Sequence, residues 1–261
     1  MNEFASLSHP WDPLTGNLAI ITGAAGGLGR QMASRLLEVG ASVLASDLSQ
    51  EALDAMESDF NNPKLMTQRT DVTHRDDMQS LAARATATGL RPVLWVNNAG
   101  ISINQDTVDA TDADYDRIFN VNLRSTLIGS QVAQQLFAEQ NQPGSIVNLS
   151  SVTGTGVLRR RALYGSAKAA IVHMTKYLAE EWGQYGIRVN AIAPGFVLTP
   201  ISHLMRASQQ EIDEAVSGIP LGRLGTTDDI AKTVVLLGSN LTGYQTGQVF
   251  VLDGGMTLSF E

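Results

Sequence analysis

The sequence predicts a doubly wound α/β fold, in which one parallel β-sheet has helices packed on both faces. Short runs rich in Val and Ile alternate along the chain with longer segments of helical periodicity. The runs are continuously apolar, which is typical of strands buried on both faces of a parallel sheet. Six runs are predicted as strands: Leu18–Thr22, Ser42–Asp47, Val93–Asn97, Ser145–Leu149, Arg188–Ala193 and Gln248–Leu252. A further strand, third along the chain, is expected before Asp71.

Length and composition fit one domain. A chain of 261 residues with 43% hydrophobic and 17% charged residues is close to the largest size that one core organises. We predict an N-terminal extension at residues 1–17 and a single domain at residues 18–261, because no linker divides the chain. Within the domain, Pro200–Pro220 is predicted to be a helical lid over the substrate.

Charge and cysteine content narrow the possible partners. A net charge of -8 argues against nucleic acid or an anionic membrane as a partner. The chain has no cysteine, and its four histidines show no metal-ligand spacing, so neither a disulfide nor a metal site is expected. No signal peptide and no bilayer-spanning apolar run is recognisable, and a cytoplasmic protein is predicted.

A glycine-rich turn follows the first strand. Gly23, Gly27 and Gly29 lie between this strand and Gln31–Val39, which has the composition of a helix. Backbone N–H groups of such a turn, together with the positive end of the helix dipole, can bind a pyrophosphate. The alternative is a tight turn without a ligand.

Asp47 ends the second strand, where a carboxylate can accept hydrogen bonds from the adenosine ribose of a dinucleotide. A 2′-phosphate would instead be repelled, and no basic residue in Ala24–Leu28 compensates. NAD is therefore favoured over NADP. The alternative is that Asp47 or Ser49 caps a helix starting near Gln50.

Tyr164 and Lys168 are four residues apart in Arg161–Tyr185, a segment predicted as one long helix, and so share a face. A phenol ionises near pH 10, so a tyrosine needs a nearby cation to act as a base at neutral pH. A lysine ~4 Å away would bring its pKa to about 7. Tyr164 is thus a candidate general acid/base; the alternative is a solvated helix face.

Two more polar residues are candidates for the same site. Ser151 follows the strand Ser145–Leu149, and its hydroxyl can donate to a substrate oxygen. Ser150 competes for this role, and both serines could instead serve the turn. Asn122 lies inside Tyr115–Phe137, a predicted helical segment, where an Asn indicates a bound water or a helix distortion.

Together these motifs resemble those of the short-chain dehydrogenase/reductase family, in its compact single-domain branch with a Rossmann-like fold. The resemblance runs from about Leu18 to Met256, and the motifs stand in the family's order. They are Thr22-Gly23-x3-Gly27-x-Gly29, Asp71, Asn97-Asn98-Ala99-Gly100, Asn122, Ser151, Tyr164-x3-Lys168, Pro194-Gly195 and Asp253-Gly254-Gly255. Ser151 is preferred over Ser150 because the family places its catalytic serine thirteen residues before the tyrosine.

The resemblance implies a role for each residue. Tyr164 would be the general acid/base, and Lys168 would lower its pKa and hold the nicotinamide ribose. Ser151 would orient the substrate oxygen, and Asn122 would fix a water that links Lys168 to solvent. The cofactor would also contact Gly23, Gly27, Leu28, Gly29, Asp47, Asp71, Val72, Asn98, Ala99, Gly100, Pro194, Gly195, Val197 and Thr199. Most relatives are tetramers, so a homotetramer is implied.

Arg159, Arg160 and Arg161 fall in a stretch that borders the substrate pocket in the family. One guanidinium could bind a carboxylate, phosphate or sulfonate; the alternative is a solvated or subunit-contacting turn. His203, in the predicted lid, could touch substrate or be a surface residue. The predicted function is an NAD-dependent alcohol dehydrogenase or ketone reductase acting on a polyol, sugar or sugar acid, with or without an anionic group.

Two other functions remain open. An NADPH-linked reductase of 3-oxoacyl thioesters or other ketones would share every catalytic residue, although Asp47 argues against it. A dinucleotide-binding protein without activity would not need the four residues Asn122, Ser151, Tyr164 and Lys168.

Overall fold

The computed structural model describes residues 14–199 and 208–259 and contains a seven-stranded sheet in which all neighbouring strands are parallel. The strand order is β3-β2-β1-β4-β5-β6-β7. The strands are β1 (Leu18–Thr22), β2 (Ser42–Asp47), β3 (Leu65–Arg69), β4 (Pro92–Asn97), β5 (Gly144–Leu149), β6 (Ile187–Pro194) and β7 (Val249–Leu252). The doubly wound α/β fold is confirmed.

The predicted strand bounds agree closely with the observed strands. β1 and β2 match their predicted bounds, and β4 to β7 differ from theirs by one residue at one or both ends. The sequence set no bounds for β3. This strand lies at the edge of the sheet, and only Leu65 of its five residues is buried, so its apolar run is too short to recognise.

Helices cover both faces of the sheet. Those in the described residues are α1 (Gly27–Glu38), α2 (Gln50–Phe60), α3 (Arg75–Ala87), α4 (Asp112–Phe119), α5 (Ser125–Glu139), α6 (Ala162–Trp182), α7 (Gln209–Ser217) and α8 (Thr227–Gly238). The predicted helix Gln31–Val39 begins earlier, at Gly27, and the end of Arg161–Tyr185 is a separate 3₁₀ turn at Gly183–Tyr185. Among the described residues, no helix has the length and apolarity needed to cross a membrane.

Two apolar clusters hold the layers together. Successive residues of β1 point to opposite faces, so Ala19 and Ile21 join one cluster whereas Leu18 and Ile20 join the other. The first cluster includes residues of α1, α2 and α8, and the second includes residues of α3, α5 and α6. Burial on both faces explains why the strands read as continuous apolar runs.

The end of the predicted N-terminal extension packs into the first cluster. Leu14 is fully buried there. The Gly16 N–H donates to the Gly40 carbonyl at 3.0 Å, and the Asn17 carbonyl accepts from the Ser42 N–H at 2.8 Å. These contacts fix the position of the backbone directly before β1. Residues 1–13 lie outside the described residues.

The segment predicted as a lid is described from Ser208 onward. Ser208 and Glu211 form a capping box that starts α7. Ile212 and Val216 of this helix pack against a small apolar cluster that includes Val152, the residue directly after Ser151. Residues 200–207, which include His203, lie outside the described residues.

Candidate active site

A cleft of about 660 Å³ opens at the carboxyl ends of the strands. The order of the sheet reverses between β1 and β4, because β2 and β3 lie to one side of β1 and β4 lies to the other. Ligands of doubly wound sheets bind at such a switch point. Gly23, Asn98, Ser150 and Gly195, which follow β1, β4, β5 and β6, all line the cleft.

The fold brings most of the predicted site residues to this cleft. Its lining includes Gly23, Gly27, Leu28, Asp47, Asp71, Val72, Asn98, Ala99, Gly100, Asn122, Ser151, Tyr164, Lys168, Pro194, Gly195, Val197 and Thr199. Gly29 lies behind the glycine-rich loop instead, where a Cβ atom would overlap the Gly23 carbonyl oxygen. Gly29 therefore allows α1 to pack closely against the loop. His203 lies outside the described residues.

The glycine-rich loop fits a pyrophosphate. Gly26 is the N-cap of α1 and offers no side-chain cap, whereas Ser49 and Thr111 cap α2 and α4. Gly26 lines the cleft, and a Cβ atom on it would meet nothing within 4 Å. The first N–H groups of α1 therefore have no side-chain cap, and the space beside the loop is open, as an anion at this helix end requires.

Asp47 is fixed at the wall of the cleft. Its Oδ2 accepts from the Ala25 N–H at 3.1 Å, and its Oδ1 accepts from the Ser49 N–H at 3.2 Å. The cap of α2 is Ser49, whose hydroxyl accepts from the Ala52 N–H at 3.2 Å. Of the two capping alternatives, the structure therefore selects Ser49. Each Asp47 oxygen retains a lone pair for a ribose hydroxyl.

The two candidate serines have different partners. The Ser151 hydroxyl accepts from the Thr153 N–H at 3.2 Å and hydrogen-bonds to Tyr164. The Ser150 hydroxyl donates to the backbone carbonyl of Lys168 at 2.9 Å. The geometry thus favours Ser151 over Ser150 as the serine that works with Tyr164.

Burial raises the pKa of Tyr164 above its ordinary value, because a buried phenolate loses its hydration. The hydrogen bond from Ser151 and the positive charge of Arg161 act in the opposite direction. The expected lowering by Lys168 is not found: its ammonium lies 5.5 Å from the centroid of the Tyr164 ring and donates to the Leu149 carbonyl at 2.7 Å. The lysine thus contacts a ring face and a carbonyl.

Lys168 is itself buried, and burial lowers its pKa to about 8. In the described part of the chain, no carboxylate forms an ion pair with its ammonium. The site therefore contains a cation that is stabilised by a neutral carbonyl and an aromatic ring instead of by a counter-charge, which is the kind of perturbed group found at functional sites.

Asn122 lies in a helix distortion, which is one of the two alternatives that its position in the sequence indicated. Residues Asn120–Arg124 make a π-helical turn between α4 and α5. The Asn122 Nδ2 donates to the carbonyls of Ile118 and Ile101, each at 2.9 Å, and its Oδ1 accepts from the Ile101 N–H at 3.3 Å. The amide thus stabilises the turn and clamps the loop after β4 beside Lys168.

The three consecutive arginines occupy different environments. Arg159 is exposed, and Arg160, with a φ of 62°, forms an ion pair with Asp106 at 3.4 Å. The Arg161 Nη1 donates to the Ser102 hydroxyl and to the Ile103 carbonyl. None of the three lines the cleft, but Ser102 does. Only Arg161 therefore reaches the rim of the site.

Several cleft residues were missed at the sequence level. Gly26, Ile101 and Ser102 line the cleft and directly adjoin predicted motifs, so a wider window around those motifs would have found them. Arg117 and Val121 also line it, from α4 and the π-helical turn. Val121 precedes Asn122, so the same wider window would have found it. No sequence signal marks Arg117, because the packing of α4 brings it there.

Known proteins share both sequence and fold with this chain. Residues 23–257 match a family described as enoyl-(acyl carrier protein) reductase. The chain is 36% identical over 247 residues to 3-oxoacyl-(acyl-carrier-protein) reductase FabG of Thermotoga maritima, covering 94% of this chain and 99% of that protein. It is also 36% identical over 247 residues to 3beta-hydroxysteroid dehydrogenase 2 of Eggerthella lenta, covering 93% and 95%. A crystal structure described as a candidate gluconate dehydrogenase from Agrobacterium tumefaciens is similar with a TM-score of 0.90 and 31% identity, covering 97% and 99%.

With these similarities, the chain belongs to the short-chain dehydrogenase/reductase family. It is an oxidoreductase of CH–OH or keto groups in small molecules, in a family that uses NAD or NADP. The alternative of a dinucleotide-binding protein without activity is set aside by this assignment.

Proposed function

We propose that the protein is an NAD-dependent dehydrogenase that interconverts a secondary alcohol and its ketone, with a polyol, sugar or sugar acid as substrate. The observation that carries this proposal is the grouping of Tyr164, Ser151 and Lys168 at one end of the cleft. Together they offer a proton-transfer group, a hydrogen-bond donor and a fixed positive charge beside the same substrate position.

In oxidation, the substrate hydroxyl transfers its proton to Tyr164 in its phenolate form while the hydrogen on the same carbon leaves as a hydride. The Ser151 hydrogen bond and the charge of Arg161 favour the phenolate against the effect of burial. A nicotinamide dinucleotide, which Asp47 and the glycine-rich loop after β1 would hold, would supply the hydride-transfer chemistry in both directions. In reduction, the Tyr164 phenol donates its proton to the forming alkoxide. Ser151 donates a hydrogen bond to the same oxygen, and this bond strengthens as negative charge develops.

Lys168 and Asn122 support this proton transfer from the side away from the substrate. Lys168 holds a positive charge against the Tyr164 ring, and it is positioned by the Leu149 carbonyl. Asn122 fixes the backbone of Ile101 and so the loop that carries Gly100 past the ammonium. The water relay implied by the family resemblance would run from Lys168 along this loop.

The preference for NAD is supported by Asp47. Its carboxylate is held by two backbone N–H groups at the end of β2, where the adenosine ribose of a dinucleotide lies in this fold. A 2′-phosphate in that place would meet a like charge. Of the described cleft-lining residues, Arg117 and Lys168 are cationic, and neither forms an ion pair with Asp47.

A second candidate function is an NADPH-linked reductase of 3-oxoacyl thioesters. The similarity to FabG, at 36% identity over 94% of the chain, favours it. Both candidates need Tyr164, Ser151, Lys168 and Asn122, so these residues do not distinguish them. The distinction lies in the cofactor that Asp47 selects and in the substrate.

We expect Tyr164→Phe to lower kcat by about a hundredfold or more, because the phenyl ring has no proton to exchange. Turnover is measured with NAD and NADP on polyols, sugars, sugar acids and 3-hydroxyacyl thioesters. NADH binding, followed by fluorescence, should stay at the wild-type level. Tyr177→Phe is the matched control, because Tyr177 is on the same helix and 60% exposed.

Unchanged turnover in Tyr164→Phe would remove this residue from the mechanism. Wild-type activity confined to 3-hydroxyacyl thioesters with NADP would replace the proposed function by the second candidate. Turnover of a polyol, sugar or sugar acid with NAD supports the proposal.

We expect Asp47→Asn to lower the ratio of kcat/KM with NAD to kcat/KM with NADP by about tenfold, because the repulsion of the 2′-phosphate is removed. Asparagine keeps one oxygen for the Ala25 N–H, so the loop contact is retained. Asp54→Asn, at an exposed site on α2, is the control. An unchanged ratio would leave Asp47 with only its role of holding Ala25 and Ser49.

A further inference from the structure

Arg161 is a partly buried cation that has no acidic partner in the described part of the chain. Its two hydrogen-bond acceptors, the Ser102 hydroxyl and the Ile103 carbonyl, are both neutral. No carboxylate of residues 14–199 or 208–259 forms an ion pair with it, in contrast to Arg160, which pairs with Asp106. Burial lowers the pKa of Arg161, because the guanidinium loses hydration without gaining a counter-charge. An anion bound at this guanidinium would supply the missing negative charge.

One edge of the Arg161 guanidinium has no partner among the residues that the structure describes. Both of its hydrogen bonds use Nη1, and neither Nε nor Nη2 donates to any described residue. The N–H bonds of Nε and Nη2 are parallel and match the two oxygens of a carboxylate. The Nη1 contacts hold the guanidinium against the loop after β4, so this edge is presented in a fixed orientation.

The position of Arg161 ties it to the reacting end of the cleft. Ser102, which it contacts, lines the cleft together with Tyr164. The charge of Arg161 also acts on the Tyr164 hydroxyl. In the proposed function Tyr164 exchanges a proton with the substrate oxygen. An anion bound to Arg161 would therefore be carried by the substrate itself, close to its reacting carbon.

We propose that Arg161 is the specificity-determining residue for an acidic substrate and binds a substrate carboxylate through its Nε–Nη2 edge. The substrates are then hydroxy acids and their keto acids, sugar acids among them. This inference rests on the proposed function. It assigns the anion site to one of the three consecutive arginines and leaves Arg159 and Arg160 outside it, since the first is exposed and the second is paired with Asp106.

The first test compares hydroxy acids with their primary amides, such as gluconate with gluconamide and 3-hydroxybutyrate with 3-hydroxybutyramide. Each amide has the size of its acid but no charge. We expect Arg161→Gln to lower kcat/KM for the acids about a hundredfold and for the amides less than about threefold. Arg159→Gln, at the exposed neighbour, should change neither. Because Arg161 also holds the loop after β4, a purely structural role would lower both by the same factor, and that result would overturn the proposal.

The second test does not depend on turnover. Phenylglyoxal modifies accessible arginines, and mass spectrometry reports the modified fraction of Arg159 and Arg161 separately in the NADH-bound enzyme. We expect malonate, but not malonamide at the same ionic strength, to slow modification of Arg161 severalfold and to leave Arg159 unaffected. Equal modification of Arg161 with either additive would overturn the anion site. If the enzyme oxidises none of the alcohols tested, the proposed function fails, while the protection result still decides whether Arg161 binds carboxylate.

Discussion

Lys168 is the residue at which stability and chemistry conflict most clearly. The residue is 4% exposed, and its ammonium is stabilised by one carbonyl and the face of one aromatic ring. Burial without a counter-charge lowers its pKa from 10.5 to about 8. A folded protein retains such a group where the reaction needs its charge, at a cost in stability.

We expect Lys168→Met to abolish turnover and to raise the free energy of unfolding by up to about 3 kcal/mol at pH 7, the equivalent of the lowered pKa. Below pH 8, Lys168 is protonated in the folded and unfolded states, and its full destabilising effect is present. Between pH 8 and 10.5 the unfolded state binds more protons than the folded state, so the free energy of unfolding of the wild type rises relative to that of the variant. Urea unfolding at pH 7 and pH 10 measures this convergence.

The control for this substitution is Lys176→Met, which removes an exposed ammonium on the same helix. Its free energy of unfolding should differ from that of the wild type by the same small amount at pH 7 and at pH 10. A stability difference for Lys168→Met that does not shrink between pH 7 and pH 10 would mean that the buried charge is not its cause.

At the scale of residues, the sequence predicted which groups meet but not their electrostatics. The order of the motifs was sufficient to predict that Tyr164, Ser151 and Lys168 lie close together. Each of them follows or faces the end of a strand that the hydrophobic pattern predicts. The pKa of Tyr164 depends on its burial and on Arg161, whose importance comes from a contact with Ser102. Those two residues are 59 positions apart, and no local pattern connects them.

At the scale of elements, one helical segment was predicted where the structure has three pieces. Tyr115–Phe137 is divided into α4, the π-helical turn and α5. Asn122 marked the distortion, since an amide inside a helix competes for backbone hydrogen bonds. The type of distortion could not be predicted, because it depends on the contact of this amide with Ile101, a residue in another loop.

The loops after β4 and β5 act as one structural element in the folded chain. The Gln105 N–H donates to the Arg160 carbonyl at 3.1 Å, Arg160 pairs with Asp106, and Arg161 contacts Ser102. One loop follows the fourth strand and the other leads into α6, which carries Tyr164. Their cross-links therefore position the proton-transfer helix relative to the rim of the cleft.

At the scale of the whole molecule, the first apolar cluster extends before the predicted start of the domain. Leu14 is fully buried, and a Cβ atom on Gly238 would lie 3.0 Å from a Cδ2 atom of both Leu14 and Leu94. Gly238, at the end of α8, thus leaves room for Leu14 against β4. The sequence did not indicate this, because a single leucine in a polar segment carries no periodicity. The homotetramer implied by the resemblance stays a prediction.

We expect Leu14→Ala to lower the free energy of unfolding by about 2 to 4 kcal/mol, because the lost side chain leaves a cavity between α8 and β4. Urea unfolding followed by tryptophan fluorescence, to which the fully buried Trp95 contributes, measures the change. Leu221→Ala, at a leucine that is 69% exposed, should change the value by less than about 0.5 kcal/mol. If the two variants are equally stable, the segment before β1 does not unfold together with the sheet. A large loss confined to Leu14→Ala places the start of the cooperative unit ahead of β1, so that a chain beginning at residue 18 would lack part of its core.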